Sequence, residues 1–253
     1  MARIAVAGAT GRAGRHVVDV LEGDGHEVVA ISRAQGVDVL TRDGLAAALD
    51  GVESIVDAAT GPSAEQDAAT EFFTTAARNL QEVGSRAGVR RMVVVSIIGT
   101  DKFTAGYGAA KLAHERAALA GPVPARILRA AQFHEFVEVL MAWGRQGEVC
   151  YLPAMRTQLV AARTVAEALA ALAVAPQAAP AGAPVPEIAG PREEYIPDVA
   201  ALVASRRGEE VKIEAVSNPA DPDDALNSSG ALLPGPHATL AGPTFAEWLD
   251  ATL

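Results

Sequence analysis

Tyr107 and Lys111 stand four residues apart in a stretch, 107–119, that reads as a helix, so their side chains share one face. A phenol with its ordinary pKa near 10 is a poor acid or base at neutral pH, but a neighbouring ammonium or other cation favours its ionised form. Tyr107 could then give a proton to a carbonyl oxygen as hydride reaches the carbon, or accept one in the reverse direction. Ser96, near the end of an apolar run over 91–98, could orient the same carbonyl by hydrogen bonding. Ser96, Tyr107 and Lys111 are the candidate catalytic residues.

Hydride transfer needs a carrier, and the start of the chain offers a place for one. The apolar run Ile4, Ala5, Val6, Ala7 reads as a buried parallel strand, and 12–22 as a helix with Val17, Val18 and Leu21 on one face. Between them lie Gly8, Ala9, Thr10, Gly11, Arg12, Ala13 and Gly14. Gly8 permits a tight turn, Gly11 lets backbone approach a pyrophosphate, and Gly14 lets the helix pack close to the strand. Amides at the helix start would face the phosphates, helped by the helix dipole.

Strand-like and helix-like segments then alternate. Strands are expected at 27–32, 37–40, 53–59, 91–98 and 125–129, with helices at 43–49, 65–86 and 107–119. Right-handed crossovers make this an α/β chain with a Rossmann-type, doubly wound parallel sheet. Thr164-Val165-Ala166-Glu167 reads as a capping box opening a helix to about residue 173. The alanine- and proline-rich 176–186 suits a surface connection. Further strands are expected at 187–189 and 211–216, a helix at 197–206, a polar turn at 218–224, and a second capping box at Thr244-Phe245-Ala246-Glu247. The nucleotide part therefore covers about 1–145. Residues 146–253 read mostly as a small C-terminal substrate lobe, apart from the helix near 164–173 that returns to the sheet.

The end of the second strand bears on the cofactor. A carboxylate there would hold the adenosine ribose of an unphosphorylated dinucleotide, but this chain has Ser32 and Arg33. A guanidinium in that place pairs with a 2′-phosphate, which favours NADP over NAD.

A chain of 253 residues buries roughly three quarters of its unfolded surface and needs no metal or disulfide staple. The single cysteine, Cys150, forms no intramolecular disulfide and fits a reducing compartment. No leader precedes the first strand and no run has the length of a membrane span, so a cytoplasmic protein is expected. The net charge of −10 argues against a nucleic-acid partner. The histidines at 16, 26, 114 and 237 show no ligand spacing, so no metal is expected.

The glycines at 8, 11 and 14, Ser32-Arg33, Asp38, and Ala58-Ala59-Thr60-Gly61 together resemble the short-chain dehydrogenase/reductase superfamily. More narrowly, 96–101, Gly106-Tyr107 with Lys111-Leu112-Ala113, and 128–134 resemble its atypical branch, which includes proteins similar to the NmrA nitrogen regulator and NADP-dependent quinone reductases. The resemblance continues through 189–191 and 231–235, so it covers nearly the whole chain. It implies that Asp38 and Val39 flank the adenine, that Ala58, Ala59, Thr60 and Gly61 line the path of the ribose and nicotinamide, and that Lys111 holds the nicotinamide ribose. Only ten residues separate Ser96 from Tyr107, fewer than in many sugar epimerases of the superfamily.

Gln132, Phe133 and His134 follow the 125–129 strand and should border the nicotinamide and the lobe cleft. His134, titrating near neutrality, could bind substrate or relay a proton, or could simply start a helix with a backbone hydrogen bond. Trp143, Met141 and Tyr151 are candidate pocket walls, with core packing as the default. The expected activity is NADPH-dependent reduction of a small, largely apolar carbonyl, enone or quinone. The alternatives are a non-catalytic NADP-binding sensor that acts on a protein partner, and an epimerase or dehydratase.

Overall fold

The computed structural model describes residues 1–175 and 183–253. The expected surface connection over 176–186 falls largely outside those residues. Seven parallel strands form the main sheet: β1 (Arg3–Ala7), β2 (Glu27–Ile31), β3 (Ser54–Asp57), β4 (Arg91–Ile97), β5 (Ala125–Ala130), β9 (Glu187–Ala189) and β12 (Thr239–Leu240). Their spatial order is β12-β9-β5-β4-β3-β1-β2. The chain thus runs outward from β1 to β2, then crosses back to β3 on the other side of β1. That reversal opens a crevice at the carboxyl ends of β1 and β3, where open α/β sheets bind ligands.

Helices cover both faces. On one side lie α1 (Gly14–Gly23) and α6 (Ala162–Val174), packed on Val6, Val56, Val93 and Leu128. On the other lie α2 (Leu45–Ala48), α3 (Gln66–Arg86) and α4 (Gly106–Leu119), with Leu45, Leu80 and Ala118 packed on Ala5, Ile55, Met92, Val94 and Ile127. Alternate residues of each strand feed alternate faces, so the near-continuous apolar runs of β1 and β4 follow from burial on both sides.

The C-terminal third divides. Strands β9 and β12 extend the main sheet, whereas α5 (Phe136–Gly144), β6 (Arg145–Gln146), β7 (Val149–Pro153), β8 (Arg156–Thr157), β10 (Glu194–Tyr195), α7 (Ile196–Arg207) and β11 (Lys212–Val216) stand apart from it. Two short helices, α8 (Asp224–Ser229) and α9 (Phe245–Thr252), complete the chain. Val137, Leu152, Ile196, Val203, Phe245 and Leu249 form a separate core for this part. No helix among the described residues is long and apolar enough to cross a membrane.

Two local expectations are overturned. Residues 37–40 are a loop, which makes 53–59 the third strand and 125–129 the fifth. Asp38 Oδ1 accepts from the Leu40 N–H at 2.7 Å, and Asn79 on α3 donates to the Val39 and Leu40 carbonyls, so the local side chains satisfy the backbone that a strand ladder would use. Thr164 does not cap α6, which begins at Ala162. Glu135 reaches the Ala162 N–H at 3.2 Å instead, and Thr164 sits inside the first turn against Gly242. The Thr244–Glu247 capping box of α9 is formed as its sequence implies.

Candidate functional site

Tyr107, Lys111, His114 and Glu115 fall at i, i+4, i+7 and i+8 along α4, the spacing of one helix face. In an ordinary surface helix that inward face is apolar. Here it is polar because three consecutive strands present polar groups to it. Asp57 pairs with Val94, and Ser96 with Arg129, in register. Asp57, Ser96 and Arg129 therefore project to the same face as Ile55, Met92, Val94 and Ile127, toward α3 and α4.

The partners follow from that placement. The Lys111 ammonium donates to Val95 O at 2.8 Å and lies 3.0 Å from His114 Nδ1. His114 Nε2 lies 2.9 Å from Asp57 Oδ2, while Asp57 Oδ1 accepts from the Ala59 N–H at 3.1 Å. The Phe73 ring of α3 stacks on His114 at 4.7 Å, stands 4.4 Å from the Lys111 nitrogen, and meets Tyr107 edge-on. Arg129 grips Glu115 through two bonds of 3.0 and 2.9 Å and reaches Asp101 at 2.8 Å. Burying the Glu115 charge is tolerable because that pairing is bidentate.

Burial lowers Lys111 to about 8, although Asp57 and Glu115 oppose the shift. Burial and the adjacent Lys111 push His114 down as well, against the pull of Asp57. Burial alone would raise Asp57, yet its His114 bond and charge, the Ala59 amide and Lys111 outweigh it and hold the carboxyl below its usual range. Tyr107, half-buried, is raised by desolvation. The expected lowering of Tyr107 by Lys111 is therefore corrected: the ammonium is engaged with Val95 and His114, and loss of water governs the phenol. Ser96 Oγ is buried on the same face and has no hydrogen-bond partner among the described residues.

The glycine turn lies at the carboxyl end of β1. Gly8 has φ +76°, and a Cβ there would stand 2.6 Å from Ala58 O; one at Gly14 would stand 2.1 Å from Gly8 O. Those two glycines are required by the fold itself. Gly11 is different, because its added Cβ would meet only Gly8 O, at 3.1 Å. The Gly8 and Ala9 N–H groups donate to Ile31 O and the Gly11 N–H to Gly8 O. The amides of Arg12 and Ala13 have no backbone acceptor among the described residues and stand at the start of α1, so they fit a phosphate. Thr10 and Thr60 are exposed beside the turn, and Gly61 packs against Phe72.

Ser32 and Arg33 sit where β2 ends. Ser32 Oγ is buried without a partner, and Arg33 is exposed, with no carboxylate at ion-pair distance among the described residues. Asp38 turns back to cap its own loop, and half-buried Val39 lies beside it.

Beyond β5 the residues point away from Tyr107's helix. Gln132 accepts from the Thr157 hydroxyl, and Phe133 packs into the α6-side core beside Val160. His134 is fully buried, with Nε2 3.2 Å from Pro243 O and its ring 5.3 Å from both Phe245 and Trp248. Burial takes its pKa to about 4, so it does not titrate near neutrality as its residue type suggested. Trp143 is exposed, Tyr151 half-buried, and Met141 packs in the C-terminal core; Cys150 is a buried thiol that donates to Met141 O. A cleft of about 480 Å³ lies beyond Arg129, lined by Ile98, Lys102, Glu187 and Leu233, and does not reach Tyr107 or Ser96.

Sequence reasoning missed Asp57, His114, Glu115, Arg129 and Phe73. The signal was present: four polar residues at core-facing spacing on one helix, and an acid ending the otherwise apolar run of β3.

A parallel sheet with a glycine turn at its switch point and helices on both faces defines a Rossmann-type α/β protein. The chain belongs to the NAD dependent epimerase/dehydratase family, whose model matches residues 4–175. Among solved structures it is similar to MoeE5 in complex with UDP-glucuronic acid and NAD (20% identity, 99% of this chain and 100% of that one, TM-score 0.72). It is also similar to the NADPH-dependent quinone oxidoreductase QOR2 of Escherichia coli with NADPH (18%, 98% and 99%, 0.70). A third is UDP-N-acetylglucosamine 4-epimerase from Bacillus cereus (17%, 99% and 95%, 0.70). No curated protein matches the chain.

Proposed function

We propose that this chain is an NADPH-dependent reductase of a small, largely apolar carbonyl, enone or quinone. The observation that carries the reading is the state of Tyr107. Desolvation keeps the phenol protonated, and the Lys111 ammonium is drawn inward to Val95 and His114 rather than spent on the phenol. A protonated tyrosine suits proton donation to an oxygen that gains charge in reduction.

Bound NADPH would supply hydride to the substrate carbon or ring. Tyr107 Oη donates its proton to the substrate oxygen, Ser96 Oγ donates a hydrogen bond to the same oxygen, and water then restores the phenol's proton. Lys111 holds the nicotinamide ribose. Gly8, Gly11, Gly14 and the Arg12 and Ala13 amides take the pyrophosphate, and Ala58, Ala59, Thr60 and Gly61 border the ribose path. Arg33, with Ser32 beside it, takes the 2′-phosphate, and Asp38 and Val39 flank the adenine. Gln132, Phe133 and His134, engaged with Thr157, the α6-side core and Pro243, pack behind the site rather than touch the substrate.

The test is NADPH consumption against a panel of aldehydes, ketones, enones and quinones, with UDP-hexose interconversion followed in parallel. Turnover of an apolar acceptor with no sugar conversion supports the reading. UDP-hexose interconversion without NADPH consumption overturns it in favour of an epimerase, and tight NADPH binding with neither reaction in favour of a sensor.

A further inference from the structure

We propose that the buried Asp57–His114 pair is a positioning pair for Lys111: Asp57 fixes the His114 tautomer so that Nδ1 can accept from the Lys111 ammonium and hold it in place on the inward face of α4. The inference deepens the reductase reading and rests on it only for the use to which Lys111 is put. The geometry stands by itself. An ammonium has donors and no acceptor, so at 3.0 Å from Lys111 the His114 Nδ1 must be the acceptor. The imidazole proton then lies on Nε2, 2.9 Å from Asp57 Oδ2, where a carboxylate accepts it.

The result is a chain of three side chains from three places: the third strand, the second turn of α4 and the turn after it. The neutral imidazole relays the pull of a fully buried carboxylate to an ammonium that, among the described residues, carries one other hydrogen bond, to Val95 O. Phe73 closes the assembly from α3, stacked on His114 and over the Lys111 nitrogen. The titratable groups around Lys111 are Asp57 from β3 and Tyr107, His114 and Glu115 from α4, with Glu115 paired to Arg129 from β5 and Arg129 shared with Asp101. Asp57 and Glu115 both favour protonated Lys111, and Asp57 is the one that reaches it through His114. Without Asp57, burial would push the Lys111 midpoint further down.

The chain contains three lysines, at 102, 111 and 212, so each side chain gives a resolvable signal when the protein is labelled with 13C at lysine Cε. Two measurements on wild type and variants test the pair. In wild type, 15N spectra should show His114 as the neutral Nε2–H tautomer at pH 7, and Lys111 should titrate near 8. A neutral Nδ1–H tautomer or an imidazolium overturns the proposal, because neither leaves Nδ1 as acceptor. In Asp57→Asn, which keeps the shape and removes the charge, the Lys111 midpoint should fall by about one pH unit or more. His114→Leu should lower it too, and His114→Gln, whose amide can accept and donate at once, should restore most of the wild-type value. A folded Asp57→Asn or His114→Leu protein with an unmoved Lys111 midpoint overturns the pair as a positioning device and leaves it a packing element. These readouts need neither cofactor nor substrate. Failure of the reductase reading would instead show as no turnover with the lysine shifts intact.

Discussion

Asp223 caps the helix that carries Tyr107 from more than a hundred residues further along the chain. Its Oδ2 accepts from the Thr104 and Ala105 N–H groups at 2.6 and 2.7 Å, and its Oδ1 from the Thr104 hydroxyl at 3.0 Å. The residue at the cap position itself, Ala105, has no side chain able to do this, and Gln66 on α3 takes the next amide, that of Gly106, at 2.7 Å. The first turn of α4 is thus fastened by two distant segments, one of them in the C-terminal third, and Tyr107 lies in that turn.

Asp223→Ala should cost about 1–2 kcal/mol of stability in urea denaturation, the usual value of a helix cap. Because it loosens the turn that aims Tyr107, it should also lower kcat by roughly ten- to a hundredfold while leaving NADPH affinity near wild type. Equal loss of kcat and of NADPH affinity would show that the cap supports the fold in general rather than the aim of Tyr107.

Gly11→Val separates a ligand-facing glycine from the two the fold requires. A Cβ added at Gly11 would meet only Gly8 O, at 3.1 Å, so the variant should fold after a small local shift, yet it should weaken NADPH and NADH alike by roughly tenfold or more. Gly14→Ala, by contrast, should destabilise the protein outright, since its Cβ would fall 2.1 Å from Gly8 O. Unchanged cofactor affinity in folded Gly11→Val would remove the phosphate site from this turn.

Arg33→Asp should reverse the cofactor preference. Among the described residues the exposed guanidinium has no carboxylate partner to release, so the change should act on the 2′-phosphate without disturbing the fold. Calorimetry should show NADPH affinity falling while NADH affinity holds or rises. The same NADPH-to-NADH ratio in both proteins would contradict the assignment.

His134 gives a pH dependence of known sign. Its folded pKa is about 4 because burial disfavours the imidazolium, while the unfolded chain has the ordinary value near 6.5. Between those values the unfolded state binds the extra proton, so this contribution is complete above pH 6.5 and is lost as pH falls toward 4. Glu194, raised by burial to about 7, acts the other way over pH 4.5 to 7, and both contact α9 near Phe245. His134→Gln, which can still donate to Pro243 O, should flatten the acid limb of the urea midpoint against pH. An unaltered limb would mean that His134 is charged in the folded protein.

The parts of the fold set by local periodicity were legible: α3, α4, β4, β5 and the glycine turn lie within a residue or two of where their patterns put them. What could not be read was decided at long range. The 37–40 loop owes its shape to Asn79 on α3, and the start of α6 to Glu135, each of which satisfies backbone groups that the local sequence seemed to assign elsewhere. In the site, the Tyr107–Lys111 spacing was visible, but its meaning depends on Asp57 and His114, which are 57 residues apart and meet because α4 packs over β4, whose neighbour β3 ends at Asp57. The state of Tyr107 followed the same rule: a nearby lysine in sequence suggested an ionised phenol, whereas burial keeps it protonated.

The most direct measurement of the account is NADPH oxidation by wild type and Tyr107→Phe with an apolar carbonyl acceptor, alongside NADPH affinity for both. Removing one hydroxyl from a half-buried ring leaves its packing on Phe73, so the variant should fold and bind NADPH as wild type does. Its turnover should fall by about a hundred- to ten-thousandfold, the usual contribution of a general acid. Full turnover in a folded Tyr107→Phe protein that binds NADPH normally would contradict the claim that Tyr107 delivers the proton.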